Sequence, residues 1–384
     1  MELLKVFMDV DCRDYLLGAF KTGKESTADL RKFILYKDLD GTTYNVELPL
    51  TSNVDAGELR ESLGLSSYID LNYFPMRSAM VTLWAAANAP KLHEMYPNAF
   101  EKRVSDKLIP ALLFGGAAVK IHCKSANAGG SLARAIKDTD FIVPKKQGME
   151  FFKLLLNMDK AFGTQYKSFA TANDRRFNMW RHGERYRLTT INGITEEGLP
   201  KITVLDLFCD CIDLRHKVEV KEVFERYREN LYTIGLEHLL LSKVQFILDM
   251  PKERMEELKQ CGQDYRILSY PYYAEDKIIV GMEDKDTKDV CAVFLDHEIG
   301  AGAEKIDSER MRKILEKDKK LALTVTLNLK NLVEKCDTLK RWVSRSEVST
   351  VTDRIGFLLK ELPKVDKKWD KPWWNTAVET PVIE

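Results

Sequence analysis

Leu112-Leu113-Phe114-Gly115-Gly116-Ala117-Ala118-Val119-Lys120-Ile121-His122, followed one loop later by Asp138-Thr139-Asp140-Phe141-Ile142-Val143 and then by Ile202-Thr203-Val204-Leu205-Asp206, decides the reading of this 384-residue chain. A glycine pair that opens a helix exposes unpaired amide N–H groups at the helix's positive end. Ala117 to His122 continue the pair as that helix, with His122 at its end. Carboxylates at i and i+2 of an apolar strand point to one face. Together the two features can hold a metal-bound triphosphate.

Working outward, composition allows this reading without producing it. The chain is long enough for two or three domains, and 45% of its residues are hydrophobic. Lys+Arg and Asp+Glu balance at 59 each, so no global field draws in nucleic acid and any basic surface is local. Met1 to Val10 carries Glu2, Lys5 and Asp9 and does not read as a signal peptide, and no apolar run approaches the ~20 residues of a membrane span. A cytoplasmic protein without a membrane partner is expected. Seven scattered cysteines suit reduced thiols, and the Cys209/Cys211 pair has no second pair at zinc-ligand spacing.

Four regions follow. Residues 1–90 form an N-terminal α+β extension of unknown role, with a hairpin expected over Lys32–Tyr36 and Thr43–Leu48 around Asp40-Gly41. Residues 91–235 form an α/β catalytic segment: a helical pattern over Phe100–Leu113 broken near Pro110, a helix over Gly148–Phe162, and strands around Arg185–Thr190 and Lys201–Phe208. Residues 236–335 read as a helical domain, clearest over Leu236–Leu248 and Ser308–Lys335. Residues 336–384 hold a C-terminal helix and a Trp/Lys/Pro-rich tail, expected to be extended and unpacked, so that truncation after Glu361 would leave folding intact.

The carboxylates carry the chemistry. Displacing pyrophosphate from an NTP requires neutralising charge on both the attacking and the leaving oxygen, which two Mg²⁺ ions about 3.5–4 Å apart achieve. Asp138 and Asp140 supply hard oxygen ligands for them. Arg134, four residues earlier, can reach a phosphate. The stretch Arg175 to Arg187 interleaves five arginines with aromatic residues, a pattern that can grip RNA or a triphosphate. Competing motifs fail: Gly18 to Glu25 nearly spells a P-loop but puts Glu25 where a Ser or Thr belongs, and Asp9-Val10-Asp11 has no glycine-opened helix before it. Gly129-Gly130-Ser131 is a rival phosphate loop, but it leaves too few residues before Asp138 for a helix and turn.

The glycine pair, the Asp-x-Asp strand and the later Asp206 together resemble the DNA polymerase beta-like nucleotidyltransferase superfamily over about residues 91–335. The resemblance implies a mixed-sheet α/β core with Gly115 and Gly116 on the β and γ phosphates, and with Asp206 as a third ligand for the catalytic metal beside the acceptor; Asp210 is the fallback. Leu236 to Gln245 and Lys285 to Val290 are similar to segments of the abortive-infection and type IV toxin nucleotidyltransferases and their uncharacterised microbial relatives. There Lys243 would face the nucleotide, and the Lys-Asp motif would start a helix. The 21 residues between Gly116 and Asp138 exceed the family's usual spacing, so Ser125–Gly130 reads as an inserted loop. What the resemblance implies is Mg²⁺- or Mn²⁺-dependent transfer of an NMP from an NTP to a hydroxyl of RNA, including tRNA, or of a protein, with a cognate antitoxin-like partner. The alternative is a nucleotidyltransferase fold without turnover, serving as a regulatory or RNA-binding module.

Overall fold

Strands and helices both run along the chain, with helices gathered toward its C-terminal end. The computed structural model describes residues 33–37, 43–47, 56–71, 73–95, 108–136, 138–161, 172–173, 175–181, 183–194, 200–227, 231–262, 264–270, 276–369 and 371–377. The elements run β1 (Phe33–Lys37), β2 (Thr43–Glu47), α1 (Ala56–Leu63), α2 (Phe74–Ala87), α3 (Ala89–Met95), β3 (Leu112–Phe114), α4 (Gly115–His122), β4 (Asp138–Val143), α5 (Lys145–Ala161), β5 (Ala172–Asn173), α6 (Arg175–Trp180), β6 (Arg185–Ile194) and β7 (Pro200–Cys209). They continue as β8 (Cys211–Asp213), β9 (Lys217–Glu219), α7 (Lys221–Phe224), α8 (Leu236–Val244), β10 (Leu248–Pro251), α9 (Lys252–Gln260), β11 (Tyr265–Ile267), β12 (Lys277–Glu283), α10 (Asp284–Asp296), α11 (Ser308–Lys317), α12 (Lys319–Glu334) and α13 (Arg345–Glu361). The fold is mixed α/β. Among the described residues no helix is long and apolar enough to cross a membrane.

Internal contacts divide the chain into two units, Met1–Leu113 with Ile136–Asp210 and Phe114–Ala135 with Cys211–Glu384. This division runs across the four sequence regions, because α4 packs on α8 and α10 and so joins the C-terminal unit.

The first unit is built on a five-stranded sheet of order β3-β4-β7-β6-β5. β4 and β7 are parallel, while β6 is antiparallel to both β7 and β5. Side chains alternate across each strand, so Thr139, Phe141 and Val143 share one face with Leu205, Leu207, Tyr186 and Leu188. Helix α5 covers that face: Phe152 packs on Tyr186 at 5.2 Å between ring centroids. A Cβ on Gly148 would stand 2.7 Å from Cys209 Sγ, so only glycine lets the helix approach this closely. β3 corrects the helical expectation that ran to Leu113. Pro110 ends any helix entering from upstream, and Leu112, Leu113 and Phe114 are a wholly buried apolar triplet that pairs as a sheet edge. The hairpin forms with Phe33 paired to Glu47. Residues 1–30, with the P-loop-like and Asp9-Val10-Asp11 segments, lie outside the described residues.

The second unit packs α4, α8, α10, α12 and α13 together beside an antiparallel sheet of order β10-β12-β11. This sheet adds three short strands to a region read as mostly helical: β10 and β11 span only four and three residues, too short to show a period. The run from Ser308 to Lys335 is two helices, because Asp318 stops the first and caps the second by accepting from the amides of Lys320 and Leu321. The tail is extended but not unpacked. Trp373 and Trp374 are buried with Ile247, Leu268, Ile279 and Leu323, and Trp369 packs against them. The indole N–H of Trp373 donates to Thr324 Oγ1 at 2.9 Å. Three tryptophans carry enough apolar area to make the tail part of the core.

Candidate functional site

In the first unit, register does the assembly. Parallel pairing sets Asp140 directly opposite Asp206 and Asp138 opposite Val204, so all three carboxylates stand on the face that α5 leaves uncovered. Asp138 is exposed, Asp140 half-buried and Asp206 buried. Across the next pairing Arg187 stands opposite Asp206 on the same face, with Arg185 two residues before it.

Both arginines hold Asp206. Arg187 donates from Nε to Oδ1 at 2.9 Å and from Nη2 to Oδ2 at 3.2 Å, and Arg185 Nη2 also reaches Oδ2. Burial pushes the Asp206 carboxyl up, but the two guanidinium groups outweigh it and hold the group below the ordinary range. Aromatic rings back the guanidinium groups: Phe177 lies 3.9 Å from that of Arg187, and Phe208 lies 4.2 Å from that of Arg185. The Asn178 amide bonds both backbone groups of Arg187, fixing this part of β6. A hard divalent cation fits the donor chemistry of Asp138 and Asp140. It fits Asp206 only if a guanidinium gives up an oxygen. Asp210, the fallback, has φ +62° and accepts from the amide of Lys145 at 2.9 Å, so it caps α5 instead.

In the second unit, α4 opens at Gly115 with φ +68°, as the glycine pair predicts. A Cβ on Gly116 would lie 2.3 Å from Nη2 of Arg134. That guanidinium cannot step aside, since it is clamped by Asp289 through Nε–Oδ1 at 2.7 Å and Nη2–Oδ2 at 2.6 Å. Glycine is therefore required by the contact. Lys243 lies 2.9 Å from Asp289 and 3.3 Å from Asp286. Burial opposes its charge, but these carboxylates outweigh burial and hold it above its ordinary value. Asp289 is held low against burial by Lys243 and Arg134, whereas burial raises Asp286 despite Lys243. Lys120, buried in α4, donates to the Ala126 carbonyl at 2.6 Å; burial and then the Arg134 charge push it down. Three cations and a helix N-terminus against two carboxylates leave a net attraction for an anion.

The sequence-predicted residues thus fall into two groups, Asp138, Asp140 and Asp206 in one unit and Gly115, Gly116, Arg134 and Lys243 in the other. The Lys-Asp motif starts α10 as expected, and its Asp289 organises both cations. Arg185 and Arg187 were legible only as part of a basic stretch; their i, i+2 spacing on a strand beside that of Asp206 was the available signal. Side chains of Arg175 and Arg176 lie outside the described residues. The pairing of Asp286 and Asp289 with Lys243 and Arg134 was not legible from the Lys-Asp motif, and Lys120 carries no motif of its own. Neither protein-family models, curated proteins nor solved structures yield a match to this chain.

Proposed function

We propose that the chain is a Mg²⁺-dependent nucleotidyltransferase that moves an NMP from an NTP to a hydroxyl of RNA or protein. The observation that carries this reading is the β4–β7 register, which stands Asp138, Asp140 and Asp206 on one face of a parallel strand pair, opposite the face that α5 covers. Asp138 and Asp140 would hold the metal, with Asp206 joining them. Bound Mg²⁺ neutralises charge on the attacking and leaving oxygens. Within the second unit, the amides opening α4, with Arg134 and Lys243, would hold phosphate oxygens, as the resemblance implies for the β and γ phosphates. The acceptor hydroxyl gives its proton to a carboxylate of the acidic face.

The arginine clamp on Asp206 favours a second reading, a nucleotidyltransferase fold that binds nucleotide or RNA without turnover. Incubating the protein with each labelled NTP, Mg²⁺ and total RNA or protein separates the two through pyrophosphate release. Asp138→Asn and Asp140→Asn should each abolish incorporation and leave thermal melting unchanged, since each swaps an anionic ligand for a neutral one of the same shape. Near-full activity in either variant refutes the metal assignment.

A further inference from the structure

His122 closes α4 and His297 follows the last residue of α10, far in sequence from one another. With Glu304 they form a compact group: one nitrogen from each ring and a carboxylate oxygen all lie within 4.8 Å of one another. His122 Nδ1 is 3.6 Å from Glu304 Oε2, and His297 Nδ1 is 3.7 Å from the same oxygen. Donors about 2.1 Å from a tetrahedral zinc are about 3.4 Å apart, and the pair His122 Nδ1 and Glu304 Oε2 stands near that spacing.

Each ring has one nitrogen bonded to a protein oxygen and the other without a hydrogen-bond partner. His122 bonds Thr233 Oγ1 through Nε2 at 2.6 Å, and its Nδ1, buried and facing Glu304, makes no hydrogen bond. His297 donates from Nδ1 to the Glu304 carbonyl at 2.9 Å, and its Nε2 is buried without a partner. Pinning one ring nitrogen to a protein oxygen while leaving the other unsatisfied is the outer-shell pattern that sets the tautomer of a ligating imidazole. The scaffold is tight. Ser125 bonds Asp296 Oδ2 through both its amide and hydroxyl at 2.9 and 3.0 Å, tying the chain just past His122 to the end of α10. Arg354 donates to the carbonyls of Phe294, Leu295 and His297 at 2.8–3.0 Å, fixing the backbone that carries the second ring. Glu304 sits on a loop closed by the Ile299–Ile306 bridge, and its side chain is 53% exposed, which gives an ion a way in and a position for water.

We propose that His122, His297 and Glu304 form a binding site for a transition-metal dication, zinc foremost. Two imidazoles and one carboxylate suit Zn²⁺ and not Mg²⁺, which takes oxygen ligands. The site is separate from the acidic face and independent of the nucleotidyltransferase reading. A bound ion fastens the C-terminal end of α4 to that of α10, the two helices that carry Gly116 and Asp289. The test is calorimetric titration of Zn²⁺ into chelator-treated, untagged full-length protein, with melting followed in parallel. One zinc per chain and a rise in melting temperature are expected. Glu304→Gln, a change on an exposed loop that leaves the fold intact, should weaken zinc binding by about 100-fold and abolish the rise, since even outer-shell losses cost 10- to 100-fold. Cys261→Ser, removing the thiol that is exposed among the described residues, should bind as the parent does. Absence of binding, unchanged affinity in Glu304→Gln, or loss of binding in Cys261→Ser overturns the proposal.

Discussion

Asp289→Asn tests the cation cluster most directly, because one buried carboxylate holds two partly buried positive charges. Its side chain is 3% exposed, and those of Arg134 and Lys243 are 15% and 13% exposed. Asparagine keeps the shape but removes the charge, leaving Asp286, 3.3 Å from Lys243, as the nearby counter-charge. Breaking a buried pair from one side costs about 3–5 kcal/mol. The lysine's share has a ceiling: losing its proton at pH 7 costs about 4.6 kcal/mol from an ordinary pKa near 10.4. Arg134 has no such escape. A loss of about 4 kcal/mol is therefore expected, which for a unit of about 200 residues lowers the melting temperature by about 8–16 °C. Urea unfolding followed by tryptophan fluorescence and by circular dichroism measures it. Added pyrophosphate should raise the variant's melting temperature more than the parent's, because an anion then replaces the missing carboxylate. A loss under about 1 kcal/mol would mean the cations are effectively solvated. A pyrophosphate response no larger than the parent's would mean the cluster is a structural ion pair and not an anion cradle.

Trp373→Ala should cost about 4 kcal/mol, from the cavity and the lost bond to Thr324, and truncation after Glu361 should cost more; unchanged melting of the truncated chain would return the tail to the surface. Burial lowers His238 to about 3 and His216 to about 4, both below the unfolded value. The sign follows: the stability of keeping both neutral is complete above about pH 6.5 and is lost as pH falls through 6.5 toward 4 and 3, about 2 kcal/mol each by pH 5. His238→Gln should flatten the acid limb of a stability-against-pH curve, and an unchanged slope refutes this. Replacing Arg185 and Arg187 together by alanine should destabilise the chain by about 3 kcal/mol, and adding Asp206→Asn should recover part of that loss; if the triple variant is no more stable than the double, the clamp is not what neutralises Asp206.

What the sequence showed and what it hid divide along a physical line. Gly115-Gly116 and Asp138-x-Asp140 were readable because a turn chemistry and a period of two are written in neighbouring residues. The strand identity of β6 and β7 followed from long apolar alternation. Leu112–Phe114 misled because three apolar residues have no period, and only Pro110 hinted that the helix could not continue. The tail misled because its tryptophans are spaced without helical or strand rhythm, so that their burial is decided by a cluster contributed from Ile247, Leu268, Ile279 and Leu323. Partners of charge were the least legible. Asp289 meets Arg134 from 155 positions away, and His122 meets Glu304 from across the same unit, distances at which spacing carries no signal.

The clamp on Asp206 sharpens the choice between turnover and binding alone. Two guanidinium groups already supply the positive charge that this carboxylate needs, so a divalent cation arriving by itself gains little from Asp206 and must displace a bidentate partner. On the proposed reading an incoming triphosphate would alter that balance, since its oxygens are alternative acceptors for Arg185 and Arg187, and an oxygen of Asp206 given up by a guanidinium would be left to ligate a metal. Turnover then requires that metal binding at the acidic face depend on nucleotide. Mn²⁺ titrated with and without a non-hydrolysable NTP analogue, followed by its paramagnetic signal, should show tight binding only with the analogue, and Arg187→Ala should relax that dependence. Binding that ignores the analogue in both proteins would leave Asp206 a structural ion pair and favour the non-catalytic reading.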